Sequence, residues 1–439
     1  MNKALFLIPS LLCFSSVHAE TLQEAIHTTL KTNPDVLASI SERQAVSKEI
    51  DQARAGYFPT VDLGVGTGWE STDNPATRNR GDGEIHLNRD EASLNLRQML
   101  YDGSLTKNEV ERQEARTDSR AHSVYSVAEN TALEATEAYL NVLRQQQLVE
   151  LAQTNLESHQ RTHDQITLRS ERGVGRRADM DQSFGRLALA ETNLMAEQSN
   201  LRDAETNYLR VIGAAPTSLT EPPSPEPFMP ATVEEAVNVA IQNHPTLRSA
   251  QADVASANAQ HDVTRAAFLP RVDFELGTRS DHDIDGVRGT DKDVTAMFRL
   301  RYNLLNGGRD KARREETAFL INQAAEIRNN THRQVEQSVR LSWNALETVR
   351  RQMSYFEQYA AAAEKTRDAY QQQFNIGQRT LLDLLDSENE LFRARTSLTN
   401  ALYDELFTMY RVLNSTGSLL ESLEIIAPPA ATTVADNDN

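Results

Sequence analysis

The chain has 439 residues, a quarter of them charged, with a formal net charge of −18 and a single cysteine, Cys13. So acidic a chain is a poor partner for nucleic acid, and one cysteine rules out an internal disulfide framework. Length alone would allow several domains.

In chain order, residues 1–19 read as a secretory signal: Lys3 supplies the charge, residues 4–14 the apolar core, and Val17-His18-Ala19 a small-residue cleavage site. Cys13 lies inside it, preceded by Leu12 rather than a small residue, so ordinary cleavage is expected over lipidation. Cleavage removes Lys3 and no acid, taking −18 to −19. No later stretch reaches the ~18 consecutive apolar residues of a membrane helix.

The remainder is written twice. Residues 20–214 form the first repeat, 215–230 a stiff Pro-rich linker, 231–420 the second repeat, and 421–439 a tail whose composition predicts disorder. Thr21-Leu-Gln-Glu-Ala-Ile returns as Thr232-Val-Glu-Glu-Ala-Val, and Tyr57-Phe-Pro-Thr-Val-Asp-Leu as Phe268-Leu-Pro-Arg-Val-Asp-Phe, a shift of 211 (232 − 21). Leu100-Tyr-Asp-Gly matches Leu304-Leu-Asn-Gly at a shift of 204 (307 − 103), as do Gly173 with Gly377 and Asp179 with Asp383. The shift changes between residues 70 and 90, so that loop is longer in the first copy.

Each copy opens with a helix, expected over residues 21–55 and 232–266. The period then drops to two. Val61, Leu63 and Val65 alternate with Asp62, Gly64 and Gly66; Val294, Phe298 and Leu300 alternate with Thr295, Arg299 and Arg301. One apolar and one polar face over about ten residues is the pattern of outer-membrane barrel strands. A soluble half-buried sheet alternates too, but here no other apolar region offers itself for such a sheet to pack on.

Long polar helical runs follow; residues 104–172, 69 in number, would make a helix ~100 Å long. Leu187, Leu194, Leu201 and Tyr208 step by seven, as do Leu384, Leu391 and Leu398. Such narrow seams belong to coiled coils. Gly377 breaks the second run. Thr380 and Asp383 then have capping-box spacing, which starts a new helix and makes this stretch a hairpin tip.

Four barrel strands cannot close, and an open edge is not tolerated in lipid, so the chain must assemble. Three copies would supply twelve strands; a dimer with eight is also compatible with the counting.

At this point the duplicated plan, the YFPTVDL and AFLPRVDF stretches, the LYDG and LLNGG turns and the GQRTLLDLLDSENEL tip (377–391) resemble the TolC family of outer-membrane efflux and secretion channels. The resemblance implies a mainly α fold with a β-barrel part: a homotrimeric, twelve-stranded outer-membrane barrel continued by a periplasmic α-helical barrel. It also implies docking to a periplasmic adaptor (membrane fusion protein) and an inner-membrane ABC or RND pump, passage of exported cargo, and contact with outer-membrane lipid.

In that family acidic residues on the second hairpin line the periplasmic gate, and here they fall on Asp383 and Asp386, three apart on the new helix. Polar links between the hairpins hold the gate shut; the matching positions are Arg379 and Asp179, with Phe374 and Ala178 where the family has a tyrosine and a threonine. Part of that latch is therefore missing, and Arg176 and Arg177 are available for other pairs. Without the family, Asp383 is a helix cap, Asp386 a solvated acid and Arg379 an exposed cation. The basic-glycine run at 173–181 and the absence of a lipidation cysteine favour the type I protein-secretion branch over small-molecule efflux; a periplasmic coiled-coil scaffold is the remaining alternative.

Other patterns are weak. Asp281-His-Asp-Ile-Asp-Gly286 begins like a calcium loop but has Lys292 where the twelfth ligand should be, so a polar extracellular loop is expected. His159 and His163 are four apart and read as surface residues. No nucleophile–base pair, cofactor motif or metal site stands out, and no enzyme is expected.

Overall fold

A computed structural model describes residues 19–434. The signal segment up to residue 18, with Cys13, and the last five residues lie outside that range.

The two repeats fold alike. Each opens with a short and a longer helix: α1 (Leu22–Thr32) and α2 (Pro34–Arg54), then α6 (Val233–Asn243) and α7 (Pro245–Arg265). The single opening helix expected for each copy is thus two. The residue before a proline avoids the helical region, and Asn33 and His244 turn out to ψ 125° and 121°. Pro34 and Pro245 then take first-turn positions, where a missing N–H costs nothing.

Two strands follow in each copy, β1 (Thr60–Thr72) with β2 (Ile85–Tyr101), and β3 (Arg271–Ile284) with β4 (Val287–Arg301). The extra length between the first pair contains α3 (Pro75–Asn79), capped by Asn74. The four strands form one antiparallel sheet in the order β1-β2-β3-β4, so the two repeats meet at β2–β3, and β1 and β4 are its edges. Its apolar face is open to the surroundings: Leu63, Val65, Val294 and Phe298 are 74–77% exposed. A soluble sheet would cover such a face; a barrel strand turns it to lipid.

The long runs become two hairpins of equal dimensions. α4 (Leu105–Glu171) and α8 (Arg309–Asn375) have 67 residues each, α5 (Arg177–Ile212) and α9 (Leu381–Thr416) 36 each. On the second hairpin Leu391 and Leu398 pack with Ala360, Ala363 and Ala394, and on the first Leu187 and Tyr208 are buried while Leu194 and Leu201 between them are half-exposed.

Packing divides the described residues into two units. One holds the chain up to Leu37, Ser126–His244 and Val335–Pro428, including both hairpin tips. The other holds Ala38–Tyr125, Pro245–Gln334 and the residues from Pro429, including the sheet.

The linker is tied down in the first unit. Leu219 bridges Glu20, Thr220 donates its N–H to the buried Tyr139 hydroxyl (3.0 Å), and Tyr410 donates to the Pro223 carbonyl (2.9 Å). The tail differs from its expected disorder through residue 434. α10 (Leu419–Ser422) buries Leu419 and Leu420, and Leu423 and Ala430 are buried beyond it. The carboxylate of the buried Glu129 accepts the N–H groups of Leu419 and Leu420 (3.2 and 3.1 Å), and burial pushes its pKa up to about 7. In the second unit, Val434 donates its N–H to Asp118 (2.7 Å). Few but well-placed apolar residues outweigh the polar composition.

Candidate functional site: the hairpin tips

Each tip turns on a glycine with positive φ, Gly173 at 76° and Gly377 at 75°, where a side chain would be strained. At the second tip Thr380 and Asp383 form the expected capping box: the Thr380 hydroxyl donates to Asp383 Oδ2 (2.8 Å), and the Asp383 N–H donates back to that hydroxyl (3.3 Å). This fixes the first turn of α9 and with it the direction of Asp386, one turn on. Both carboxylates line a cleft of about 400 Å³ on the second hairpin, with Tyr359, Tyr370, Ser387 and Glu390 among its walls.

The first hairpin reaches this site through an arginine the sequence did not single out. Arg186 on α5 donates to Asp386 Oδ1 at 2.6 Å, joining residues 200 apart in sequence. A signal existed: at the repeat shift of 204, Arg186 corresponds to Glu390 (390 − 204) and Gln182 to Asp386. The charges differ between copies where the two hairpins touch.

Behind Arg186 lies His159, also misjudged. It is 2% exposed, not a surface residue, and no acceptor or donor meets its Nδ1. Burial first, and the Arg186 charge second, lower its pKa. His163 is half-buried and bonds Ser183 Oγ (2.9 Å), closing α4 on α5.

Phe374 replaces the latch tyrosine's hydroxyl with packing. It is 6% exposed in a cluster of Ile166, Leu381, Leu384 and Leu385, with Met180 against it. Ile166 and Met180 belong to the first hairpin and the others to the second. The Arg169 guanidinium lies over its ring at 5.0 Å. Ala178 is exposed and has no hydroxyl to donate.

Within the chain, Arg379 and Asp179 are not brought together. Arg379 stacks on Tyr370 (4.2 Å to the ring centre), donates to Gln373 Oε1 (2.8 Å) and sits 3.9 Å from Asp383. The N–H of Asp179 donates to the Arg176 carbonyl, and among the described residues its side chain forms no ion pair. Farther along, the second hairpin is zipped by Tyr359–Glu390 (2.7 Å), Arg395–Glu364 (2.6 Å) and Arg367–Glu388 (3.5 Å); burial raises the Glu388 pKa.

Side chains hold the backbone of the acidic β3–β4 turn, while the buried Asp281 carboxylate accepts no hydrogen bond and has only the Arg279 guanidinium beside it (2.9 Å). Asp283 accepts the Gly289 N–H (2.7 Å), and Glu70 accepts those of Asp285 and Gly286 (3.2 and 3.0 Å). Among the described residues no group of three acids, histidines or cysteines is placed to hold a metal.

The family model described as "Outer membrane efflux protein" matches residues 25–214 and 236–418, most of both repeats. The chain belongs to this family. Among its relatives, the outer membrane efflux protein BepC of Brucella suis is 26% identical over 420 residues, covering 95% of this chain and 89% of BepC. The alkaline protease secretion protein AprF of Pseudomonas aeruginosa is 26% identical over 426 residues, covering 92% and 86%. The fold is also that of the CmeC outer membrane channel of Campylobacter jejuni, with a TM-score of 0.76 at 14% identity over 91% of this chain and 86% of CmeC. As an outer membrane efflux protein, the chain resides in the outer membrane with a large periplasmic part, in a family of channels rather than enzymes.

Proposed function

We propose that three copies of this outer membrane efflux protein form a passive export duct, gated at the hairpin tips and serving type I protein secretion. The observation that carries the duct is the sheet: it has four strands, two open edges and an exposed apolar face. In lipid each unpaired edge would cost several kcal/mol per backbone group, and closure with two further copies removes every edge.

At the gate, Asp383 and Asp386 from three chains ring the periplasmic entrance, and in the open state their charge attracts cations. Arg186 holds Asp386, and the Phe374 cluster holds the first hairpin to the second. Opening separates the hairpins, breaks the Arg186–Asp386 pair and returns three carboxylates to the passage. Arg379 and Asp179, apart within one chain, pair between neighbouring copies in this reading. A periplasmic adaptor and an inner-membrane ABC pump supply the energy.

The basic-glycine first tip and the secretion relative AprF support the secretion reading. The efflux relative BepC supports a second, small-molecule efflux with an RND pump. Crosslinking and co-purification from the native membrane decide between them. An ABC-linked adaptor is expected; recovery of an RND-linked adaptor alone would overturn the secretion assignment.

A further inference from the structure

One face of the sheet carries a charge cluster unlike the rest of this acidic chain. Where β3 begins and β4 ends, cross-strand register sets Arg271 opposite Arg301, Asp273 opposite Arg299, and Glu275 opposite Arg97 of β2. Cross-strand partners share a face, and this is the one opposite the lipid-facing Val272, Phe274, Leu300 and Phe298. In a closed barrel it faces the passage.

Asp273 is fully buried, which requires partners; Arg271 (3.0 Å) and Arg301 (2.6 Å) provide them. Glu275 takes Arg299 (2.7 Å) and Arg301 (2.5 Å), with Arg97 at 3.6 Å. Four guanidinium groups thus surround two carboxylates; counting Asp62 of β1, one row from Arg97 on the same face, the cluster keeps a surplus of one positive charge per chain (4 − 3). The acids are covered and the arginines are not: the side chains of Arg97, Arg271, Arg299 and Arg301 keep 56, 48, 43 and 45% exposure. Nearer the β3–β4 turn the same face becomes acidic, with Glu91, Asp281, Asp291 and Asp293 around Arg279.

A surplus of guanidinium forks, exposed on one side and braced on the other by the buried Asp273 and the half-buried Glu275, is a preorganised receiver for oxyanions. We propose that these arginines form an anion-binding collar inside the barrel, taking phosphate, sulfate or carboxylate groups of passing cargo. The proposal rests on the trimeric duct, in which three copies multiply the surplus threefold. It makes the barrel base select for negative groups although the chain as a whole is strongly acidic.

Arg97 is the position to test, because it is the most exposed of the four and does not contact the buried Asp273. Purified full-length protein is placed in a planar bilayer and blocked with tripolyphosphate. Arg97→Glu should raise the half-blocking concentration roughly tenfold or more, the worth of one charge-assisted contact. Arg97→Gln, which places no acid beside Glu275 and so protects assembly, should raise it severalfold, and Arg97→Lys should leave it within about threefold. Currents in which block is the same for wild type, Arg97→Gln and Arg97→Glu would overturn the collar and leave the duct standing. Absence of current in the wild type would overturn the duct and the collar with it.

Discussion

The Arg186–Asp386 pair makes the gate quantitative. Its N···O distance is 2.6 Å, with 29% of the Arg186 and 56% of the Asp386 side chain exposed. That places it between a screened surface pair, worth about 0.2–1 kcal/mol, and a charge-assisted hydrogen bond, worth about 1.5–3. About 1 kcal/mol per chain is a reasonable middle value. If three tips open together the sum is about 3 kcal/mol, or roughly 150-fold in the ratio of open to closed states. Arg186→Gln keeps length and polarity but removes the charge. Single-channel recording should then show open probability rising by one to two orders of magnitude, with the effect shrinking in high salt. The double exchange Arg186→Asp with Asp386→Arg should restore closure. An open probability unmoved by Arg186→Gln, or an exchange no better closed than Arg186→Asp alone, would refute the latch.

Three further outcomes follow from neighbouring features. Phe374→Ala empties a buried site shared by both hairpins and should cost about 3–5 kcal/mol locally; amide exchange at residues 160–190 and 370–390 should accelerate, and protection equal to wild type would contradict the cluster's role. Asp383→Asn with Asp386→Asn should lower cation over anion permeability severalfold in bilayers; unchanged selectivity would remove the carboxylates from the passage. Glu129 titrates near 7 in the fold against about 4.5 unfolded, so its protonated form is favoured by folding. Its contribution is greatest at low pH and declines by up to about 3 kcal/mol as pH rises from 4.5 through 7. Glu129→Gln should flatten that part of the profile in amide exchange at Leu419 and Leu420, and an unflattened profile would place the titration elsewhere.

Much of this architecture was legible because it is periodic. Alternation marked strands in both copies, heptads marked the hairpin seams, and the 204-residue shift paired the two hairpin tips. The Thr380–Asp383 box was legible because capping is local. The breaks at Pro34 and Pro245 carried a clear local signal, since a proline turns the residue before it out of the helical region. What stayed hidden was long-range. Nothing near Arg186 announces a partner 200 residues away. His159 has polar neighbours in sequence yet is 2% exposed. Phe374 looked like a lost hydroxyl because a motif compares residue types, whereas its contribution is volume in a cavity between hairpins. The tail is ordered through residue 434 because average composition cannot weigh single anchors: Leu423 and Ala430 are buried, and the helix that leads into it is held at Leu419 and Leu420 by the distant Glu129.

The account depends on three sheets closing one barrel. Native mass spectrometry of the protein extracted from outer membranes in mild detergent tests this most directly. It predicts a single assembly at three times the mass of the mature chain. A dimer, or a monomer recovered from the soluble periplasmic fraction, would contradict it.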